Sequence, residues 1–204
     1  MTRRIAIVGN GPIREGLAGV IDSADLVIRF NLCGSAGPGG RRTDIIAVCN
    51  TGRPALEMLA GGRWKSSETV RQANAFWCVR ASETFAAMRA PLSRSHPDLD
   101  DFCDDYTPGF ETFARATGRS LSIIPAATHR ALDVSLAAFD PSPYVVPSSG
   151  LVTIAHVLDS VAGEGDRICF AGFGHTGWQW HPFAAERRWV EAHIAAGRLE
   201  RLDG

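Results

Sequence analysis

No apolar run in this sequence approaches the roughly 20 residues that a bilayer-spanning helix needs. The N-terminus, Met1-Thr2-Arg3-Arg4, leads straight into a short β-type run, too short and wrongly flanked for a secretory leader. Net charge is nearly absent: 21 Lys and Arg against 22 Asp and Glu leave −1, too little for bulk attraction to nucleic acid or to an anionic membrane surface. A disulfide framework is missing as well. The cysteines Cys33, Cys49, Cys78, Cys103 and Cys169 are odd in number and scattered, the pattern of free buried thiols in a reducing compartment. These absences predict a cytoplasmic protein with no nucleic-acid partner and no membrane span. Internal repeats and linkers are also lacking, so residues 1–204 are expected to form a single α/β domain.

What is present alternates between short apolar runs and helix-period stretches. Arg4-Ile5-Ala6-Ile7-Val8 runs into Gly9-Asn10-Gly11-Pro12, and Ile13, Leu17, Val20 and Ile21 follow at helical spacing. This predicts a buried strand, a tight turn and a helix over 12–21 whose N-terminus favours an anion, in other words a phosphate cradle. Further strands are expected at 26–30, 44–49, 76–79, 121–124 and 167–171, with helices at 54–59, 66–73, 82–89, 110–117, 128–139, after Gly150, and at 182–196. Residues 34–40 form a glycine-rich loop. Residues 91–106 are irregular, and Asp98, Asp100, Asp101, Asp104 and Asp105 read as a solvated acidic face, because the spacing and glycine of a calcium loop are missing. The alternation predicts a Rossmann-like α/β fold: a doubly wound, mostly parallel six- to seven-stranded sheet with helices on both faces. Ligands of such sheets sit beyond the carboxyl ends of the strands. Those ends are Gly9-Asn10-Gly11, Asn31, Asn50-Thr51-Gly52 and Gly172-Phe173-Gly174-His175. Small, polar and non-acidic, they suit a nucleotide better than a metal or an acid–base dyad.

The first turn is an incomplete dinucleotide fingerprint. Arg14 stands at the third glycine position, and Arg29-Phe30-Asn31 replaces the ribose-binding acid. Arg29 keeps an NADP-binding oxidoreductase open as an alternative, through a 2′-phosphate. A Walker A lysine pattern is absent, which excludes a P-loop. Pro147-Ser148-Ser149-Gly150 before a helix is either a plain N-cap or a second anion cradle of hydroxyls and N–H groups. No nucleophile elbow surrounds its serines. His181, just before the last helix, is either a surface histidine or a general base, with Glu186 orienting it or binding substrate. A zinc site from Cys169, His175, His181 and His193 matches no known ligand spacing, so no metal is expected. Trp178 and Trp180 are open between core residues and a platform for a sugar face.

Taken in order, these pieces resemble the sialyltransferases of glycosyltransferase family 29. The family's large motif looks like Val8-Gly9-Asn10-Gly11, then Asp22 and Asp25-Leu26-Val27-Ile28-Arg29-Phe30-Asn31, then Gly40-Arg41-Arg42-Thr43. Its small motif looks like Pro147-Ser148-Ser149-Gly150-Leu151, followed by a helix and a strand into Gly172-Phe173-Gly174. Its histidine and glutamate separated by four residues match His181 and Glu186, and the aromatic run Trp178-Gln179-Trp180 loosely echoes a third motif. The matched segments lie at the two ends of the chain, and the middle is unmatched.

The resemblance implies a GT-A-variant, sialyltransferase-like fold. It also implies an inverting, metal-independent transfer of a sialic-acid-type sugar from a CMP-activated donor to an unknown acceptor, with no cofactor beyond the nucleotide-sugar itself. By analogy, Gly9, Asn10, Gly11 and Asn31 would contact the nucleotide, and Ser148, Ser149 and Gly150 the donor's phosphate or carboxylate. His181, with Glu186, would deprotonate the acceptor hydroxyl or assist the leaving phosphate. The family's secreted members carry a disulfide between the first strand and the small motif, where this chain has Ile5 and a residue near Gly165. Short bacterial proteins of this appearance also resemble a group labelled urease operon accessory proteins. For that group a non-catalytic, nucleotide-binding or accessory role is the alternative expectation, and nothing in the sequence marks a nickel site.

Overall fold

The computed structural model describes residues 2–202. Seven short strands form one parallel sheet in the order β5-β4-β3-β2-β1-β6-β7. They are β1 (Arg4–Val8), β2 (Leu26–Phe30), β3 (Ile45–Val48), β4 (Ala75–Cys78), β5 (Ser120–Ile123), β6 (Arg167–Ala171) and β7 (Glu200–Arg201). The inner strands are apolar at almost every position, because parallel strands covered on both faces have no solvent side. β5, at one edge, is the polar exception, with Ser120 and Ile123 exposed.

Alternate residues of each strand feed two separate cores. Ile5, Ile7, Ile28, Ile45 and Phe170 pack under α7 (Ala126–Leu136), α8 (Ser149–His156) and α9 (Phe183–Ala195). The opposite face carries α1 (Ala18–Asp22) over Ala6, Val8, Val27 and Cys169. Beside it α2 (Gly52–Ala60), α3 (Gly62–Lys65), α4 (Glu68–Gln72) and α6 (Thr107–Ala116) cover Ile46, Val48, Phe76 and Cys78. α5 (Ser82–Ser95) forms a small satellite core with Phe85, Leu92 and Cys103. This is the doubly wound α/β architecture. The crossover from β1 runs over one face and the crossover from β6, through α9, over the other. The sheet's switch in direction therefore falls between β1 and β6, where such folds leave a crevice.

The first helix is the main correction to the expected elements. Only Ala18–Asp22 is helical, and residues 11–17 form an irregular loop. Gly11 donates its N–H to the Gly172 carbonyl at 2.9 Å, and Gly16 adopts a left-handed φ of 88°. The left-handed Gly16 is incompatible with a helix running from Pro12 to Ile21, so the helix begins only at Ala18. Conversely, α5 passes through Pro91 and ends at Ser95, so the segment expected to be irregular begins later. Its acidic residues are held rather than simply solvated. Asp101 meets Arg53 at 2.7 Å, Asp104 meets Arg89 at 2.8 Å, and Asp105 accepts the Thr107 N–H at 2.8 Å. All five cysteines are free and buried, and burial raises the thiols of Cys33 and Cys78 to about 12 and that of Cys169 to about 11. Among the described residues, no helix is long and apolar enough to cross a membrane.

Candidate functional site

A cavity of about 450 Å³ opens at the switch point, over the carboxyl ends of β1, β2 and β6. Gly9, Asn10, Gly11, Asn31, Ser148, Ser149, Gly150, His181 and Glu186 all line it. Three loops from distant parts of the chain thus meet in one place, and each contributes something different.

The first turn supplies shape rather than free donors. Gly9 donates to the Ala171 carbonyl at 2.8 Å and Gly11 to that of Gly172, so these N–H groups are not open to a phosphate. With no helix beginning at Pro12, the phosphate cradle expected at this turn is not formed. The glycines are there for proximity: a Cβ on Gly9 would lie 2.3 Å from the Gly172 carbonyl oxygen, and one on Gly11 2.8 Å from it. Asn10 bonds the loop after β2, donating Nδ2 to the Phe30 carbonyl at 3.2 Å and accepting the Gly34 N–H at 2.9 Å. Asn31 is held in a left-handed conformation (φ 48°) by three contacts. Its N–H donates to Ala47, its Oδ1 accepts from Cys49 N–H at 2.7 Å, and its carbonyl accepts from Trp64 Nε1 at 2.8 Å. The Asn31 amide NH2 is left without a partner among the described residues.

Arg29 does not reach this cavity. It is fully buried, and its guanidinium donates to the carbonyls of Arg42, Gly39 and Gly40 and to the hydroxyls of Thr43 and Ser35, at 2.7–3.4 Å. It clamps the glycine-rich loop and, fully buried, does not face the cavity, so the residue on which the NADP alternative rested is not placed to meet a 2′-phosphate there.

The second cradle sits on the N-terminus of α8. Ser148 is its N-cap: the hydroxyl accepts the Leu151 N–H at 3.2 Å and donates to Glu186 Oε2 at 2.7 Å. Glu186 Oε1 accepts the Ser148 N–H, also at 2.7 Å. The glutamate thus places both oxygens on Ser148 and neither on His181. It is only 2 % exposed, and burial raises its carboxyl from the ordinary value while the two Ser148 bonds oppose that rise. Ser149 and Gly150, in the first turn, present N–H groups and one hydroxyl that have no partner among the described residues. Gly150 is fixed by contact, since a Cβ there would lie 2.5 Å from the Phe173 ring.

His181 closes the cavity. Its Nδ1 lies 2.8 Å from the Val146 carbonyl, a contact that requires the proton on Nδ1 and leaves Nε2 as the lone-pair nitrogen. Burial lowers its pKa to about 4, against the opposing carbonyl bond, and Arg80 nearby adds to the lowering. The ring is therefore neutral at pH 7. Trp178 meets it edge-on at 5.0 Å and stacks on Phe102 at 5.4 Å, so this tryptophan forms a wall of the site; Trp180 packs against His96. The zinc constellation does not assemble: Cys169 donates to Ile5, His193 stacks on Trp189, and no metal-ligating cluster exists among the described residues.

With this geometry in hand, comparison with known proteins is informative. The chain is 66% identical, over 200 residues, to the urease operon 23 kDa accessory protein of Rhizobium meliloti (strain 1021). The match covers 98% of this chain and 93% of that protein. The chain belongs to the urease operon accessory protein family. No protein-family model matches it. The family shown is thus the accessory group, and the comparison gives no support for membership of glycosyltransferase family 29.

A second cavity of about 370 Å³ adjoins the first and shares Asn31, Ser149, Trp178 and His181 with it. Its own walls include Thr51, Arg80 and Phe102, of which sequence reasoning singled out only Thr51, as a strand end. Arg80 carried a usable signal: a cation two residues after the apolar strand β4, at the ligand-facing edge of the sheet.

Proposed function

We propose that this accessory protein binds a nucleotide in the cleft between β1 and β6, with CMP and CMP-linked sugars as the ligand class. The observation that carries the reading is the set of unpaired donors meeting there. The Ser149 and Gly150 N–H groups, the Ser149 hydroxyl and the Asn31 amide line one cavity, while its carboxylate, Glu186, is engaged by Ser148. Donors without a free carboxylate among them, at the positive end of a helix, suit a phosphate. The order of the motifs around that cleft supports cytidine as the base. Calorimetric titration with CMP tests it: saturable heat with a Kd below ~1 mM is expected, and no binding at millimolar nucleotide overturns the proposal.

One observation favours a catalytic second reading. His181 lines both cavities with Nδ1 engaged and the lone pair left on Nε2, and a neutral imidazole beside a bound donor can take the proton of an acceptor hydroxyl. In that reading the hydroxyl oxygen attacks the sugar's anomeric carbon, CMP leaves, and the helix N-terminus stabilises the departing phosphate. His181→Ala should then abolish transfer from a CMP-sugar with CMP affinity changed less than about threefold. Equal activity in the variant removes His181 from the mechanism.

A further inference from the structure

The two most deeply buried arginines of this protein are treated in opposite ways. Arg29 is surrounded by oxygens on every side, as described. Arg80 is 5 % exposed, yet its side chain makes no hydrogen bond or ion pair among the described residues, and its Nε is fully buried with no partner. The nearby acids are committed elsewhere, Asp101 to Arg53, Asp104 to Arg89 and Asp105 to Ser82 and Thr107. What Arg80 has is a ring, with its guanidinium carbon 5.2 Å from the centre of Phe102.

The position of Arg80 is built, not accidental. Asn50, fully buried at the end of β3, accepts the Arg80 N–H at 2.8 Å and donates to its carbonyl at 2.9 Å. Asn50 is held in turn by the Thr107 hydroxyl at 2.7 Å. A rigid backbone therefore presents a guanidinium to the 370 Å³ cavity, which the stacked pair Phe102 and Trp178 also lines. A guanidinium is a permanent cation, and a buried cation without a counter-charge is destabilising unless a ligand supplies one.

We propose that Arg80 is the oxyanion-binding residue of this second cavity, holding a carboxylate or phosphate group of a small ligand in its planar fork. The aromatic pair packs the ligand's body and the Asn31 amide adds a second donor from the shared wall. The proposal does not depend on a nucleotide in the first cavity.

The test is thermal unfolding of the whole chain with inorganic phosphate and, separately, acetate, up to 50 mM at constant ionic strength set with chloride. The wild type should show a saturable Tm rise of at least ~2 °C with one or both anions. A response to phosphate alone identifies a phosphate group, and a response to acetate alone a carboxylate. Arg80→Met should abolish the rise, while Arg89→Met, which removes an exposed arginine outside the cavity, should keep it. Without anion, Arg80→Met should unfold at or above the wild-type temperature, because it deletes an unpaired buried charge. If Arg80→Met does not fold, Arg80→Lys is read instead, with a loss of affinity of threefold or more expected and an unchanged affinity overturning the proposal. No response to either anion in the wild type, or an equal response in Arg80→Met, also overturns it.

Discussion

Replacing Glu186 by glutamine tests whether that carboxylate is a structural clasp between α8 and α9. In the native structure its two oxygens take the N–H and the hydroxyl of Ser148, both at 2.7 Å, inside a nearly closed environment. Glutamine keeps one carbonyl acceptor and turns an NH2 toward the other group, so one charge-assisted bond is lost and the second weakened. Hydrogen bonds to charged groups contribute about 1.5–3 kcal/mol each, and relief of the buried charge offsets part of that loss. The expected net loss is about 1–2 kcal/mol, a fall in Tm of roughly 2–8 °C for a chain of this length. Urea unfolding of Glu186→Gln, Ser148→Ala and the double variant measures the coupling directly, with an interaction of at least ~1 kcal/mol expected. Additive effects within about 0.3 kcal/mol would falsify the clasp and return Glu186 to a direct role in the site.

Two further outcomes follow from the same geometry. Gly9→Ala must push the first turn away from the Gly172 carbonyl, which a Cβ would approach to 2.3 Å. A stability loss of about 2–3 kcal/mol in urea unfolding is expected, together with weaker CMP binding, and a change under about 0.5 kcal/mol would contradict the close packing of β1 on β6. His181 titrates near 4 in the folded chain against an ordinary 6.5. Between those values the unfolded chain takes up a proton that the folded one does not, so stability falls as pH drops from 6.5 toward 4, by at most about 3 kcal/mol from this residue. Unfolding free energies measured from pH 7 to 4 should show a shallower decline in His181→Ala, and an identical slope would show that the ring is not protected by burial.

The sheet was legible in the sequence because its inner strands have no solvent side. Ile5 to Val8 and, apart from the clamped Arg29, Leu26 to Phe30 are apolar in both directions, and β2 and β6 lie at the expected residues. The parts that failed are those decided by contacts between distant segments. Periodicity from Ile13 to Ile21 suggests a helix, but it cannot register that the turn is tied to Gly172, some 160 residues away, and that Gly16 turns left-handed before the helix begins. The same holds at the site. Positions such as Ser149 and Asn31 could be read as small polar strand and helix ends, yet Glu186 could not be separated from a catalytic role until Ser148 was found occupying both its oxygens. Arg29 and Arg80 look alike in sequence, each following an apolar run. Only the loop folded over one and the cavity left beside the other distinguish a clamp from an open cation.

A crystal structure of this chain grown with CMP would show whether a nucleotide is held between β1 and β6. Density is expected in the 450 Å³ cavity, with phosphate oxygens within about 3 Å of the Ser149 and Gly150 N–H groups. An empty cleft at saturating CMP, or nucleotide bound on another face of the sheet, would contradict that placement.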